Sequence, residues 1–168
     1  GPGLELYARL DIRGPGTVRI GANCVVGGVA GDRSQFVTLS MNSPDAKLVI
    51  GDNARLFAAR VSCQYSVVIG DNALIEESGI MDTDFHSLKE DRCQPLHESM
   101  ETCRIIIGDR VSIGARSLVS KGVRIGDDVI IGPGSVVSRS LADGCVALGN
   151  PARPFEKLES LPTTSQTA

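Results

Sequence analysis

Two histidines occur in the 168 residues, and one of them stands among acids. Asp82-Thr83-Asp84-Phe85-His86 sets two carboxylates and an imidazole at alternate positions. Successive side chains of a β-strand point to opposite faces. With Met81 directed inward, Thr83 and Phe85 follow it, and Asp82, Asp84 and His86 share the outer face. A carboxylate beside an imidazole fixes its tautomer and raises its basicity, and a positioned histidine is the commonest general base near neutral pH. The trio suits removal of a proton from a hydroxyl or an amine. Asp84 is the nearer acid along the face and the preferred candidate to orient His86, which leaves Asp82 to face an acceptor. An acid from another coil or another subunit is the alternative orienting group. The plainer reading of all three is a surface histidine among solvating acids. His97 is either an acceptor-facing residue or part of a solvated loop.

These residues need a scaffold, and its period is written further along the chain. Ile107, Ile113, Val119, Ile125, Ile131 and Val137 follow one another at an unbroken spacing of six, and four of them are followed by glycine. Period six with an inward aliphatic residue marks a parallel β-helix, with three short strands in a coil of about eighteen residues. Each coil buries its apolar side chains against its neighbours, so stability comes from stacking. The same pattern occurs at Ile20-Gly21, Ile50-Gly51-Asp52-Asn53 and Ile69-Gly70-Asp71-Asn72, with Ile75 and Met81 at the following steps. The helix is expected to start near residue 10, to lapse into a corner loop between Gly31 and Ala46 around a strand from Phe36 to Met41, and to gain one extra corner residue in the coil after Ile50. After Met81 the next step should fall at position 87, yet the clean run resumes at Ile107. A loop from Ser87 to Cys103 is therefore pushed out of the prism. Long loops within regular repeats tend to carry function, and an oligomer contact is the other reading. A short strand from Cys145 to Leu148 closes the pattern. The expected organisation is one domain over 3–155, followed by a partly disordered tail over 156–168.

Composition agrees with a narrow prism: nineteen Gly, four Phe, two Tyr and no Trp. A net charge of -3 with mixed signs and no Lys/Arg stripe argues against a nucleic-acid partner. No apolar run approaches the length of a membrane span and no leader pattern is present, so a soluble cytoplasmic protein is expected. Five scattered cysteines without paired metal spacing read as reduced thiols filling the core. Gly1-Pro2 reads as a remnant of tag cleavage.

Taken together, the Ile-Gly-Asp-Asn hexads, Asp-Thr-Asp-Phe-His before a protruding loop, the run from Ile107 to Val137 and the closing Gly149-Asn150-Pro151-Ala152-Arg153 resemble the hexapeptide-repeat acyltransferases. Among these the chain is most similar to the galactoside, maltose and cell-surface polysaccharide O-acetyltransferases, over roughly residues 48 to 155. The resemblance implies an all-β, left-handed parallel β-helix that forms a homotrimer and binds acetyl-CoA, with no metal, in grooves between subunits. His86 takes the place of the family's base, which deprotonates the acceptor as it attacks the thioester. A backbone N–H must stabilise the negative oxygen of the tetrahedral intermediate, and by resemblance it falls at Ala115, directly after Gly114. Ser138, Arg139 and Arg153 match positions that hold the nucleotide end of CoA, a task suited to the paired donors of a guanidinium. Ordinary solvated surface is the alternative for both arginines.

Three departures are visible. Ser112 stands where relatives often carry Trp, Pro133 lacks an N–H that many relatives offer to pantetheine, and the N-terminal helical segment of the small-sugar enzymes is missing. The expected activity is acetyl-CoA-dependent O-acetylation of a sugar hydroxyl in cell-surface polysaccharide biosynthesis. The alternatives are N-acetylation of a nucleotide-linked amino sugar and a non-catalytic β-helix scaffold subunit. A zinc-dependent carbonic anhydrase of this fold needs three histidines, and the chain has two.

Overall fold

The computed structural model describes residues 1–29, 32, 34–84 and 98–157. Its first coils contain β1 (Glu5–Leu6), β2 (Leu10–Arg13), β3 (Thr17–Ile20), β4 (Val25–Gly27), β5 (Val37–Met41) and β6 (Lys47–Ile50). The middle contains β7 (Arg55–Phe57), β8 (Arg60–Cys63), β9 (Ser66–Ile69), β10 (Leu74–Glu76) and β11 (Gly79–Met81). A single helical turn, α1 (Met100–Cys103), precedes β12 (Ile105–Ile107), β13 (Ser112–Ile113), β14 (Leu118–Val119), β15 (Arg124–Ile125), β16 (Ile130–Ile131) and β17 (Val136–Val137). The chain closes with β18 (Cys145–Leu148) and β19 (Arg153–Lys157).

Consecutive strands lie on successive faces of a three-sided prism. The first face runs β1-β4-β7-β10-β13-β16-β18-β19, the second β2-β5-β8-β11-β14-β17 and the third β3-β6-β9-β12-β15. Pairing between these strands is parallel except for β18 with β19, which folds back over the last coil. The protein is an all-β, left-handed parallel β-helix. Its core is a set of stacked aliphatic columns: Leu56, Ile75, Ile113 and Ile131 on the first face, Val61, Ile80, Val119 and Val137 on the second, and Ile50, Ile69, Ile107 and Ile125 on the third.

The Gly-Asp pair of each hexad has a definite task at the corner between the third and first faces. Asp52, Asp71, Asp109 and Asp127 each donate their own backbone N–H to the carboxylate of the aspartate one coil further on, at 2.7, 2.8, 2.9 and 3.0 Å, the last acceptor being Asp143. This ladder pairs backbone donors at bends where no strand partner can take them. Glycine precedes the aspartate because the coils nearly touch there. A Cβ on Gly70 would lie 2.4 Å from Asp109 Oδ1 and 2.5 Å from the Gly108 carbonyl. Asn53 and Asn72 follow with φ of 56° and 57°, a left-handed bend that asparagine tolerates.

Four expectations are corrected. The helix begins at β1 rather than near residue 10, and Pro2 belongs to it, its carbonyl accepting the Asn23 N–H at 2.8 Å. The inward residue of β11 is Ile80, aligned with Val61 and Val119, while Met81 is only half-buried. The lengthened coils do not gain a single corner residue: the step from Leu56 to Val61 is one shorter than from Ile113 to Val119, and the step from Val61 to Ile69 is two longer than from Val119 to Ile125. Finally, the inserted segment rejoins the prism before Cys103. Cys103 is buried, its carbonyl accepts the Gly122 N–H at 2.9 Å, and Ser99 caps α1. At the C-terminal end β19 continues to Lys157, and residues 158–168, the rest of the expected tail, lie outside the described residues.

Candidate functional site

With Ile80 inward, the period-two alternation turns Asp82 inward as well. Its relative exposure is 0 %. Oδ1 accepts the Gln64 N–H at 2.6 Å, and Oδ2 accepts those of Tyr65 and Ser66 at 2.8 Å each. The carboxylate thus closes the wide corner between β8 and β9. An acceptor-facing role for Asp82 is overturned, because a buried carboxylate holding three amides has no face toward solvent. Its charge and hydrogen bond, added to burial as the larger cause, push the Cys63 thiol up to about 12 and keep it protonated. Cys24, Cys63, Cys103 and Cys145 are free and buried, whereas Cys93 lies outside the described residues.

Asp84 does stand at the surface, next to a cation that the sequence did not single out. Lys121, in the corner after β14, places Nζ 2.5 Å from Asp84 Oδ2 and 2.5 Å from Glu98 Oε1. Thr83 Oγ1 donates to Glu98 Oε2 at 2.8 Å, and the Asp84 N–H reaches Glu98 Oε1 at 3.4 Å. Burial alone would raise the Glu98 carboxyl, but the hydrogen bonds from Lys121, Thr83 and the Asp84 amide outweigh it and hold the group below the usual carboxylate range. Burial likewise opposes the charge on Lys121, and its two carboxylate partners raise its affinity for a proton nonetheless. His86, His97 and the rest of 85–97 lie outside the described residues. Chain connectivity alone keeps residue 86 within roughly 7 Å of Asp84.

Ala115 belongs to the corner between the first and second faces. Its neighbours spend their amides on the adjacent coils: Gly114 N–H on Ile131 O at 2.9 Å and Arg116 N–H on Glu77 O at 3.0 Å. The Ala115 N–H meets no acceptor among the described residues. Ala115 lines an open groove of about 340 Å³ together with Gly28, Val29, Phe57, Glu76 and Glu77. Arg116 and Glu77 both adopt positive φ here, 61° and 41°, and pair at 3.7 Å. One coil on, Pro133 takes the place of Ala115, as the register of Ile113 against Ile131 requires. Ser112, in β13, is half-buried and offers no ring.

Ser138, Arg139 and Arg153 are all exposed but not gathered in one place. Ser138 and Arg139 follow β17, on the same corner as Lys121. Arg153 pairs with Leu148, and the turn before it is tied to β17 through Val136 N–H to Gly149 O and Ala152 N–H to Val136 O, at 2.9 and 2.7 Å. By register Gly149 continues the column of Ala115 and Pro133, and Arg153 lies at the end of that face beside Leu148. The candidate residues fall on two corners: Ala115 and Pro133 on one, with Arg153 at the end of the face leading to it, and Asp84, Ser138 and Arg139 on the other. Between them β14 spans the second face, on the order of 15–20 Å. Among the described residues no group of three His, Cys, Asp or Glu could hold a metal ion, and no helix is long and apolar enough to cross a membrane.

Comparisons with known proteins agree with this architecture. Residues 104–139 match the family model described as bacterial transferase hexapeptide (six repeats). No curated protein matches the sequence. Among solved structures, the polySia-specific acetyltransferase NeuO superposes with a TM-score of 0.72 at 24 % identity, covering 98 % of this chain and 73 % of its own. The polysialic acid O-acetyltransferase OatWY gives 0.69 at 22 %, with coverages of 98 % and 73 %. A galactoside acetyltransferase in complex with coenzyme A gives 0.56 at 23 %, covering 92 % of this chain, which spans only 64 % of that protein. The chain thus carries the bacterial transferase hexapeptide repeat on the left-handed β-helix fold that these acetyltransferases share.

Proposed function

We propose that the protein is an acetyl-CoA-dependent acetyltransferase whose acceptor is a sugar hydroxyl, as in decoration of a cell-surface polysaccharide. The observation that carries this reading is that Ala115, whose N–H meets no acceptor among the described residues, lines an open groove. A fixed donor with no partner among the described residues is what a developing oxyanion needs, and placing it beforehand avoids reorganisation during the reaction. At the end of the adjoining face Arg153 is free of ion pairs among the described residues, as a phosphate-binding cation should be. His86 is the proposed base, taking the acceptor proton as the hydroxyl oxygen attacks the thioester carbonyl. Collapse of the tetrahedral intermediate then releases CoA thiolate, with no acyl-enzyme.

The two-corner arrangement supports an oligomer. One chain holds Ala115 too far from the root of residue 86 for a single acetyl group to meet both, so the second corner is supplied by another copy, in the proposed homotrimer. The galactoside acetyltransferase in complex with coenzyme A and the polysialic acid O-acetyltransferase among the similar structures support the donor and the acceptor class.

Titration calorimetry with acetyl-CoA on the wild type and His86→Ala, followed by thiol-release assays with neutral polysaccharide, sialylated and amino-sugar acceptors, tests the reading. Binding by both proteins with turnover of a hydroxyl acceptor lost in the variant is expected. Absence of binding to the wild type would turn attention to a scaffold role, and turnover confined to amines would move the activity to N-acetylation.

A further inference from the structure

We propose that Lys121 is a positioning residue for the acyl-transfer step, acting as a clamp that joins the two roots of the 85–97 segment; this rests on the acetyltransferase reading above. Asp84 and Glu98 are the described residues on either side of 85–97, and one ammonium lies 2.5 Å from a carboxylate of each. Thr83 and the Asp84 amide add two further bonds to Glu98, whose side chain is 5 % exposed. The roots are thus fixed to each other and to the coil carrying β14.

The arrangement depends on the cation. Without it, two carboxylates would face each other with one of them buried, and repulsion together with the lost hydrogen bonds would drive the roots apart. The proposed base follows Asp84 by two residues, so chain connectivity ties its reach to that root. A displacement of about 1 Å in a reacting group can cost on the order of 100-fold in rate. Two of the three donors of the Lys121 ammonium are taken by the carboxylates, so the role inferred for it is one of position. Its influence is on where the base stands.

The test compares the wild type, Lys121→Met, Lys121→Arg and Glu98→Gln by steady-state kinetics and by backbone hydrogen exchange. Lys121→Met should lower kcat roughly 10- to 100-fold while leaving the KM for acetyl-CoA within about twofold. Exchange should quicken at residues 83–84 and 98–103 and stay unchanged in the strand at 105–107. Lys121→Arg, which can bridge two carboxylates, should recover most of kcat. Retention of kcat in Lys121→Met, or root exchange unchanged from the wild type, overturns the proposal. Should Lys121→Met fail to fold, Glu98→Gln takes its place, since it keeps an acceptor and removes one charge; unchanged kcat and root exchange there also overturn the clamp. If the wild type neither binds nor turns over acetyl-CoA, the functional reading has failed, whereas loss of the clamp alone would show in the exchange data of an active enzyme.

Discussion

Asp82 and Asp84 are two residues apart and do different work. Asp82 holds three backbone amides inside the prism. Asp82→Ala leaves those donors without partners, and a loss on the order of 3 kcal/mol is expected from thermal or denaturant unfolding. Asp82→Asn should be nearly as harmful, because an amide NH₂ would face N–H groups. Asp84→Asn, half-exposed and held by one lysine, should leave the melting temperature almost unchanged. Equal effects at both positions would contradict these assignments. Ala115 permits a sharper experiment. Pro133 already occupies the equivalent corner of the next coil, preceded by Gly132 as Ala115 is by Gly114, so the backbone there accommodates proline. Ala115→Pro deletes only the N–H. It should reduce kcat by about 10²- to 10³-fold with acetyl-CoA binding retained; full activity in a folded variant would remove this amide from the mechanism.

Among the elements, the corner between the third and first faces rests on the aspartate ladder, and its glycines are there for clearance. A Cβ on Gly108 would come within 2.3 Å of Asp127 Oδ1 and 2.8 Å of the Gly126 backbone. Gly108→Ala must push two coils apart, and a melting temperature several degrees lower is expected from calorimetry. The ion pairs of Lys121 with Asp84 and Glu98 have a pH signature. The folded-state carboxyl of Glu98 titrates below its ordinary value, so its contribution is present above the usual carboxylate range and is lost as pH falls through the folded value. The wild type should melt above Glu98→Gln near neutral pH, with the gap closing below about pH 4. A gap independent of pH would mean that the charge on Glu98 contributes nothing.

Across the whole molecule, the separation of the two candidate corners is what the proposed assembly would bridge. If one copy supplies residue 86 and its neighbour supplies Ala115, inactive His86→Ala and Ala115→Pro chains should complement each other when co-assembled. Random mixing in equal amounts would restore about one quarter of the sites, because an interface then needs the intact half from each chain. Mixtures as inactive as either parent would place both groups within one chain. Gel filtration with light scattering on the same samples reports whether an oligomer has formed.

The period of six determined the fold, since a prism of three short strands has no other way to bury one aliphatic residue per strand, and the Ile-Gly-Asp-Asn wording marked the corner where coils approach most closely. Ala115 came from the family resemblance alone, at the residue after Ile113-Gly114, and not from the spacing. The sequence did not reveal which way Asp82 faces. The step from Ile75 to the next inward residue is one shorter than the regular hexad, which moves the inward position from Met81 to Ile80 and carries the parity of every following residue with it. Lys121 and Glu98 gave no signal either, being separated in sequence from Asp84 and from each other and brought together only because adjacent coils stack at about 4.8 Å. Local periodicity is legible wherever the repeat is regular. Facing at its irregular corners, and the ion pairs that bind an insertion to its neighbouring coil, are decided by stacking in three dimensions.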